Sequence, residues 1–387
     1  MDLEKIFEIE LSKIKKENRY REFITVGRDC GNFPFAYHPD LNKKIIIWCS
    51  NDYLGMGQNK EVIKSLQNAA TKYGVGAGGT RNISGNNIEI VNLEQKIAEF
   101  HNKDSALIFS SGYVANKAAI GTLSRFFDDC MIFSDSLNHA SIIDGIKDSK
   151  AEKVIFRHND VEHLEELLET HKNRKHKIII FESVYSMNGS IAKISEIVAL
   201  AKKYQALTYV DEVHAIGLYG KNGAGIARQA KLHSEIDFIQ GSFAKAFGVI
   251  GGYVASSKNA IDYIRSFAAS FIFTTALPPA ILAAISKSLE IISSKEGDML
   301  RKKFSDNLAL FKLKLKKTDL EILDNNSHII AIMIRDARKC KEITDILLQK
   351  YDIYLQPINY PTVAKGSERL RVTVTPFHNK KMMDEFV

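Results

Sequence analysis

The chain has 387 residues, 45% of them hydrophobic and 26% charged, with a formal net charge of +7. That length and composition predict one large or two modest globular domains and exclude a wholly disordered chain. No apolar run approaches the roughly 18–20 residues that span a bilayer. Met1–Lys5 has no basic segment leading into an apolar core, so no secretory signal is read there. The four cysteines (Cys30, Cys49, Cys130, Cys340) lie far apart, without a Cys-x-x-Cys pair. That pattern excludes a disulfide framework and a zinc ribbon and predicts a reducing, cytoplasmic setting. The lysines are scattered, as in Lys43-Lys44 and Lys202-Lys203, without interleaved aromatics. A nucleic-acid partner is therefore not expected; a polyanionic small molecule fits the charge better.

Along the chain, Leu3, Phe7, Leu11 and Ile14 repeat at helical spacing and predict an opening amphipathic helix. Ile45–Trp48 reads as a short strand ending in turn chemistry at Ser50-Asn51-Asp52. Helices are then expected on Val62, Leu66, Ala69, Tyr73 and on Ile90, Leu93, Ile97, Phe100. Seven strands are expected next at 106–109, 131–133, 154–156, 178–181, 207–210, 238–240 and 253–255, with helices between several of them. This predicts an α/β fold with a mostly parallel seven-stranded sheet and helices on both faces. After Pro278-Pro279 a long helical region runs to about residue 317. The segment 328–335, a helix near 341–351 and strands at 353–356 and 369–373 then suggest a smaller α+β domain. Asn379 is set to cap a short last helix carrying Met382, Met383 and Phe386. The expected division is an N-terminal helix and small segment (1–50), a large α/β domain (51–285) and a C-terminal α+β domain (286–387).

Polar residues gather at the C-terminal ends of the strands: Ser110–Tyr113, Ser134-Asp135, Glu182-Ser183, Asp211–His214 and Gly241-Ser242. In an open α/β sheet, ligands bind beyond those ends. Gly74-Val-Gly76-Ala-Gly78-Gly79 matches the dinucleotide pattern, but it comes after a helix rather than a strand. It reads better as a flexible loop that lets backbone approach a ligand. Neither a P-loop nor an H-E-x-x-H zinc motif occurs, and no metal site is expected.

The informative constellation is Asp211-Glu-Val-His214 with Ser242-Phe-Ala-Lys245. Alone, a lysine after a strand is ordinarily a surface lysine, and an aspartate at a strand end an ordinary turn. Together with Asn138-His139-Ala-Ser141 and Ser111-Gly112-Tyr113 they meet the needs of pyridoxal phosphate. Its aldehyde needs a lysine amine, its pyridine nitrogen a buried carboxylate, and its phosphate backbone N–H groups and hydroxyls. Lys245, Asp211, and Gly112 and Tyr113 with Ser242 suit those three roles. His139 suits stacking on the ring, and His214 a hydrogen bond to the phenolic oxygen.

Several stretches resemble one known family, the α-oxoamine synthases, which are fold-type-I pyridoxal-phosphate transferases. They are Asn51-Asp-Tyr-Leu-Gly-Met-Gly57, Gly76–Gly85, Ser134–Ser141, Ile155–Asp160, Glu182–Met187, Asp211–Ala215, Ser270–Pro279, Gln356–Val363 and Arg369–Pro376. The resemblance covers roughly residues 20–380 and is strongest to members that join glycine to succinyl-CoA in haem biosynthesis. Sister activities are the 8-amino-7-oxononanoate and 2-amino-3-ketobutyrate syntheses. The resemblance implies a homodimer with Lys245, His139 and Asp211 as catalytic residues. It adds Ser111, Gly112, Tyr113, Ser183, His214, Ser242, Thr274 and Thr275 as cofactor contacts, the two threonines reaching the neighbouring subunit's phosphate. Arg371 resembles the arginine that forks onto the amino-acid carboxylate. Arg21, Asn51, Thr80, Asn82, Ser134 and Thr362 resemble residues of the acyl and substrate pocket, and Lys153 a residue pairing with coenzyme A phosphates. Ser242 stands where the family usually has threonine, and Asn188 where it commonly has aspartate.

Overall fold

The computed structural model describes residues 2–125, 127 and 129–387. Two strands come first, β1 (Phe35–His38) and β2 (Lys43–Ile47). Seven more are β3 (Ser105–Phe109), β4 (Cys130–Asp135), β5 (Glu152–Phe156), β6 (His176–Glu182), β7 (Leu207–Asp211), β8 (Phe238–Ser242) and β9 (Gly252–Ser256). Four short ones close the set: β10 (Ile330–Met333), β11 (Ile353–Tyr354), β12 (Pro357–Ile358) and β13 (Arg369–Val372).

The chain forms two compact units. The larger holds Leu54–Ser186 and Ser190–Lys302; the smaller holds Met1–Tyr53, Met187–Gly189 and Lys303–Val387. This grouping differs from the ranges 1–50, 51–285 and 286–387 read from the sequence. The N-terminal segment joins the C-terminal one because β2 pairs in parallel with β11. The boundary near residue 302 falls inside the helix Lys295–Leu315.

In the larger unit the expected seven-stranded sheet is present, in the order β3-β9-β8-β7-β6-β4-β5. The neighbours from β8 to β5 run parallel, whereas β9 is antiparallel to both β8 and β3. Ile178, Ile179, Ile180 and Phe181 of β6 are all essentially inaccessible, so both faces of the strand are covered. A continuous apolar run is what such a doubly covered strand requires. Ala115, Ala118, Ala119 and Ile120 of the helix Gly112–Leu123 pack with Ile132, Ile178 and Ile180 in this core. The small alanines let the helix lie close to the sheet. The expected long helical region after Pro278 is two helices, Pro279–Ile292 and Lys295–Leu315. Pro279 opens the first at a position where its missing N–H costs nothing.

The smaller unit has two three-stranded sheets, β1-β2-β11 and β10-β13-β12. Its core centres on Trp48, with ring centroids 5.2 Å from Phe311 and 4.6 Å from Phe386. Asn379 caps the last helix, Lys380–Phe386, by accepting the Met382 N–H at 2.9 Å. The first helix, Leu3–Lys16, buries none of its residues, and its Leu3 and Phe7 are more than half exposed. No helix among the described residues is long and apolar enough to cross a membrane.

Candidate active site

The parallel strands deliver Ser134-Asp135, Glu182-Ser183, Asp211-Glu212 and Ser242 to one rim, the C-terminal ends of β4, β6, β7 and β8. Asp211 is 4% exposed. Its Oδ2 accepts from Asn116 Nδ2 at 2.8 Å and its Oδ1 from the Val213 N–H at 2.9 Å. Burial pushes the carboxyl above its ordinary range, while those two donors, and then the neighbouring His139 and Lys245, pull it back down. The lysine and the acid, distant in sequence, thus act on each other electrostatically in one cluster.

Beside this cluster begins the helix Gly112–Leu123. Ser111 caps it, accepting the Val114 N–H at 3.1 Å, and retains a hydroxyl proton to donate. The N–H groups of Gly112 and Tyr113 open the helix and have no intrahelical acceptor. A Cβ at residue 112 would lie 2.9 Å from the Cβ of Ser242, and one at residue 252 would lie 2.5 Å from Gly112 Cα. Both positions therefore require glycine, and the helix start is pressed against the end of β8. Ser242 is buried, accepting the Ala244 N–H and donating to the Gly251 carbonyl, both at 3.1 Å.

His139 presents an exposed ring and caps the helix Ala140–Ser149. Its Nδ1 accepts the Ser141 N–H at 3.2 Å and lies 2.8 Å from Ser141 Oγ. The Tyr113 ring stands edge-on to it at 6.3 Å, with the Tyr113 hydroxyl bonded to Asp144. Glu182, wholly buried, accepts the backbone N–H of His139. Burial and then the adjacent Asp211 charge raise its carboxyl well above the ordinary range, against the pull of that N–H and of Lys245. His214 is buried in the turn after β7.

Ser183 departs from expectation. Its hydroxyl, fully buried, donates to Glu212 Oε2 at 2.7 Å rather than facing the rim. Glu212 also accepts the N–H groups of Ile226 and Ala227 at 3.0 and 2.7 Å, and burial pushes it up to about 6. Ser183 thus fastens β6 to the start of the helix Ile226–Gln229. A second clasp was also not legible in the sequence. His158 bridges Asp135 Oδ1 (2.9 Å) and Ser190 Oγ (2.7 Å), while Asp135 Oδ2 accepts the Asn159 N–H at 3.1 Å. Ser134, also buried, accepts from Asn138 Nδ2 at 2.9 Å. Lys153, on β5 at the sheet edge, is exposed.

Gly74 and Gly76 stand in open space, whereas the chain from Gly78 to Asn86 is fastened. Arg81 grips Glu94 with two bonds of 2.7 and 2.9 Å and also donates to Asn86 Oδ1. Ser84, at φ +137°, donates its hydroxyl to the Gly78 carbonyl at 2.9 Å. Thr80 donates to Asn82 Oδ1 at 2.7 Å, and Thr80 bridges Thr275 in antiparallel fashion. Thr274 is half-buried, donating to the Ser270 carbonyl, and Thr275 is exposed beside it. A Cβ at residue 85 would lie 2.3 Å from the Gly79 oxygen and 2.7 Å from the Thr80 oxygen. Both are backbone atoms that cannot yield, so Gly85→Ala is expected to cost about 1–3 kcal/mol. A fall of several degrees in the unfolding midpoint checks this; an unchanged midpoint would show the segment to be adaptable.

The smaller unit carries its own constellation. Arg371 is buried and donates to Asn51 Oδ1 at 3.0 Å and to the Tyr53 hydroxyl at 2.8 Å. Its Nε is buried without a hydrogen-bond partner among the described residues. Arg21 donates to Thr362 Oγ1 at 3.2 Å on the wall of a cavity of about 400 Å³, lined also by Arg19, Tyr354 and Gln356.

Lys245 with Asp211, the open ring of His139, and a helix start that admits no side chain match the needs of pyridoxal phosphate in turn. These are an amine for the aldehyde, an acid for the ring nitrogen, a flat face, and a phosphate cradle. Among the described residues no cluster of three or more His, Cys, Asp or Glu side chains is placed to hold a metal ion.

A strand-end lysine and acid on such a sheet define a class of transferase, and the profile described as "Aminotransferase class I and II" matches residues 43–387. The 5-aminolevulinate synthase of Rickettsia felis is 49% identical over 380 residues, covering 98% of this chain and 91% of that protein. That of Bradyrhizobium diazoefficiens is 46% identical over 387 residues, covering 100% of this chain and 94% of that one. The chain belongs to the aminotransferase class I and II family, in the branch of the 5-aminolevulinate synthases. Among solved structures, a serine palmitoyltransferase variant from S. paucimobilis, determined with a bound PLP–myriocin aldimine, superposes with a TM-score of 0.89. It is 29% identical, with 98% of this chain and 94% of that one covered.

Proposed function

We propose that this protein condenses glycine with succinyl-CoA to give 5-aminolevulinate, coenzyme A and carbon dioxide, with pyridoxal phosphate as cofactor. The observation that carries the reading is the clustering of Lys245, Asp211 and His139 at the strand ends. The choice of substrates is supported by the 49% identity to the Rickettsia felis enzyme.

When bound, pyridoxal phosphate supplies an aldehyde that links amines and a cationic ring that draws electrons from the amino-acid Cα. Lys245 would hold the cofactor and, as a free amine, would take the Cα proton. Asp211 in its ionised form keeps the proton on the ring nitrogen, offsetting the burial that would neutralise the acid. With the cofactor bound, His139 would pack on its ring and His214 would donate to its phenolic oxygen. The N–H groups of Gly112 and Tyr113, with the Ser111 hydroxyl, would receive the phosphate, and the Ser242 hydroxyl would join them by turning away from the Gly251 carbonyl it donates to here. Thr274 and Thr275 serve the site of the neighbouring subunit. Arg371 takes the glycine carboxylate: two of its donors are fixed by Asn51 and Tyr53, and the buried Nε–H is left for a ligand oxygen. Arg21 and Thr362 receive the acyl carboxylate; Thr80, Asn82 and Ser134 shape the pocket, and Lys153 pairs with coenzyme A phosphates.

A homodimer is part of this reading. Val75, Ile83 and Phe273 are 82%, 69% and 80% exposed on two segments joined by the Thr80–Thr275 bridge. Such an apolar face suits a second copy. A cytoplasmic location goes with the reading too, since none of the four cysteines is paired.

Product formation from glycine with succinyl-, acetyl- and pimeloyl-CoA tests the assignment. Succinyl-CoA should be preferred by at least about tenfold, because the Arg21 guanidinium, exposed on the cavity wall, pairs with a carboxylate and gains nothing from a methyl end. A preference for pimeloyl- or acetyl-CoA would replace it with a sister activity. Arg21→Leu should raise KM for succinyl-CoA at least about tenfold while KM for glycine stays within about twofold. Equal effects on both would remove Arg21 from the acyl site.

A further inference from the structure

We propose that Asn116 is a positioning residue that orients Asp211 toward the ring nitrogen and links it to His139, from the same helix that receives the phosphate. This rests on the pyridoxal-phosphate reading above and names a residue that reading does not use.

Asn116 is 1% exposed in the middle of the helix Gly112–Leu123. A buried asparagine inside a helix is a poor choice unless every polar atom finds a partner. Here each does. One Nδ2 hydrogen goes to Asp211 Oδ2 at 2.8 Å and the other to Ser141 Oγ at 2.9 Å. Its Oδ1 accepts the Tyr209 hydroxyl at 2.9 Å. The arrangement admits one amide orientation only. An ionised carboxylate accepts and cannot donate, so the amide nitrogen must face Asp211 and the oxygen must face the phenol.

Tyr209 and Asp211 lie two residues apart on β7, hence on the same face of the strand, and the single amide spans both. Ser141 carries the connection onward, because its Oγ also lies 2.8 Å from His139 Nδ1. With the Ser141 N–H donating to that same nitrogen, Nδ1 is the acceptor and the ring proton sits on Nε2. Asn116 therefore ties together the acid and the histidine that face the cofactor ring. Gly112 and Asn116 are four residues apart and lie on one face of one helix. Phosphate cradle and ring acid are in this way referenced to a single rigid element.

The test uses the purified holoenzyme without substrate. It reads retention of the visible band above about 400 nm on dialysis, and the pH at which that band converts. The charged and titratable groups around Asp211 are His139, Lys245, Glu182, Glu212, Tyr209 and Tyr253. All are left in place by Asn116→Ala. That variant should weaken cofactor retention at least about tenfold and move the band's transition by about one pH unit or more. Its kcat should fall about 10–100-fold, with KM for succinyl-CoA within about twofold. Asn116→Asp should be worse, since it sets a carboxylate against Asp211. Tyr209→Phe, which removes only the anchor on the amide oxygen and preserves the core shape, should shift the transition in the same direction by less. A lowered unfolding temperature with wild-type retention and an unmoved transition in Asn116→Ala and Tyr209→Phe would overturn the proposal. Absence of the band in the wild-type protein would overturn the pyridoxal-phosphate reading itself.

Discussion

Lys245→Ala is expected to leave a folded protein with no borohydride-fixable cofactor and a rate of product formation at least about 10⁴-fold lower. Folding should survive because the side chain is only half-buried, on the connection between β8 and β9. Chemistry should not, because on the proposed reading one amine would both hold the cofactor and move the Cα proton. The measurement is the absorbance of the reconstituted variant before and after borohydride, with peptide mapping of the borohydride-treated wild-type protein for a label at position 245. Activity within tenfold of wild type, or a label on a different lysine, would remove Lys245 from its role.

The second large effect is expected at Arg371. Arg371→Lys should raise KM for glycine about 10–100-fold while KM for succinyl-CoA changes by less than about twofold. The guanidinium holds Asn51 and Tyr53 with separate nitrogens and still has a donor to offer. A lysine ammonium is a point charge that cannot keep both supports and present a planar fork. Tyr53→Phe, which releases one support without removing the cation, should give a smaller rise in the same parameter. If glycine KM were unmoved in Arg371→Lys, the carboxylate would have to be held elsewhere.

The candidate cluster was legible in the sequence because Asp211 and Lys245 sit at or just beyond the ends of apolar strands, and parallel strands bring their C-terminal ends to one rim. The buried runs at 178–181 and 207–210 made those strands visible. Asn116 was not legible: within Tyr113-Val-Ala-Asn-Lys-Ala-Ala it is one polar residue in a helix. Its meaning depends on Asp211, which only the folded sheet brings near. Ser183 differs from expectation for a related reason. It lies at a strand end as Asp211 does, but Glu212 is beside it and takes its hydroxyl. The joining of residues 1–53 with 303–387 depends on the pairing of Ile46 with Ile353, a register that local periodicity does not encode.

The antiparallel course of β9 has a kinetic consequence. Lys245 lies in a short reversal whose ends are fixed where Ser242 pairs with Gly252. Within it, Val249 N–H bonds to the Phe243 oxygen at 2.8 Å and Gly248 N–H to the Lys245 oxygen at 2.9 Å. On the reading proposed above, with the main chain anchored on both sides, a Lys245 amine displaced by substrate could retreat no farther than its own four-carbon stem allows. It would stay at a high local concentration, which would make its return after each turnover effectively unimolecular.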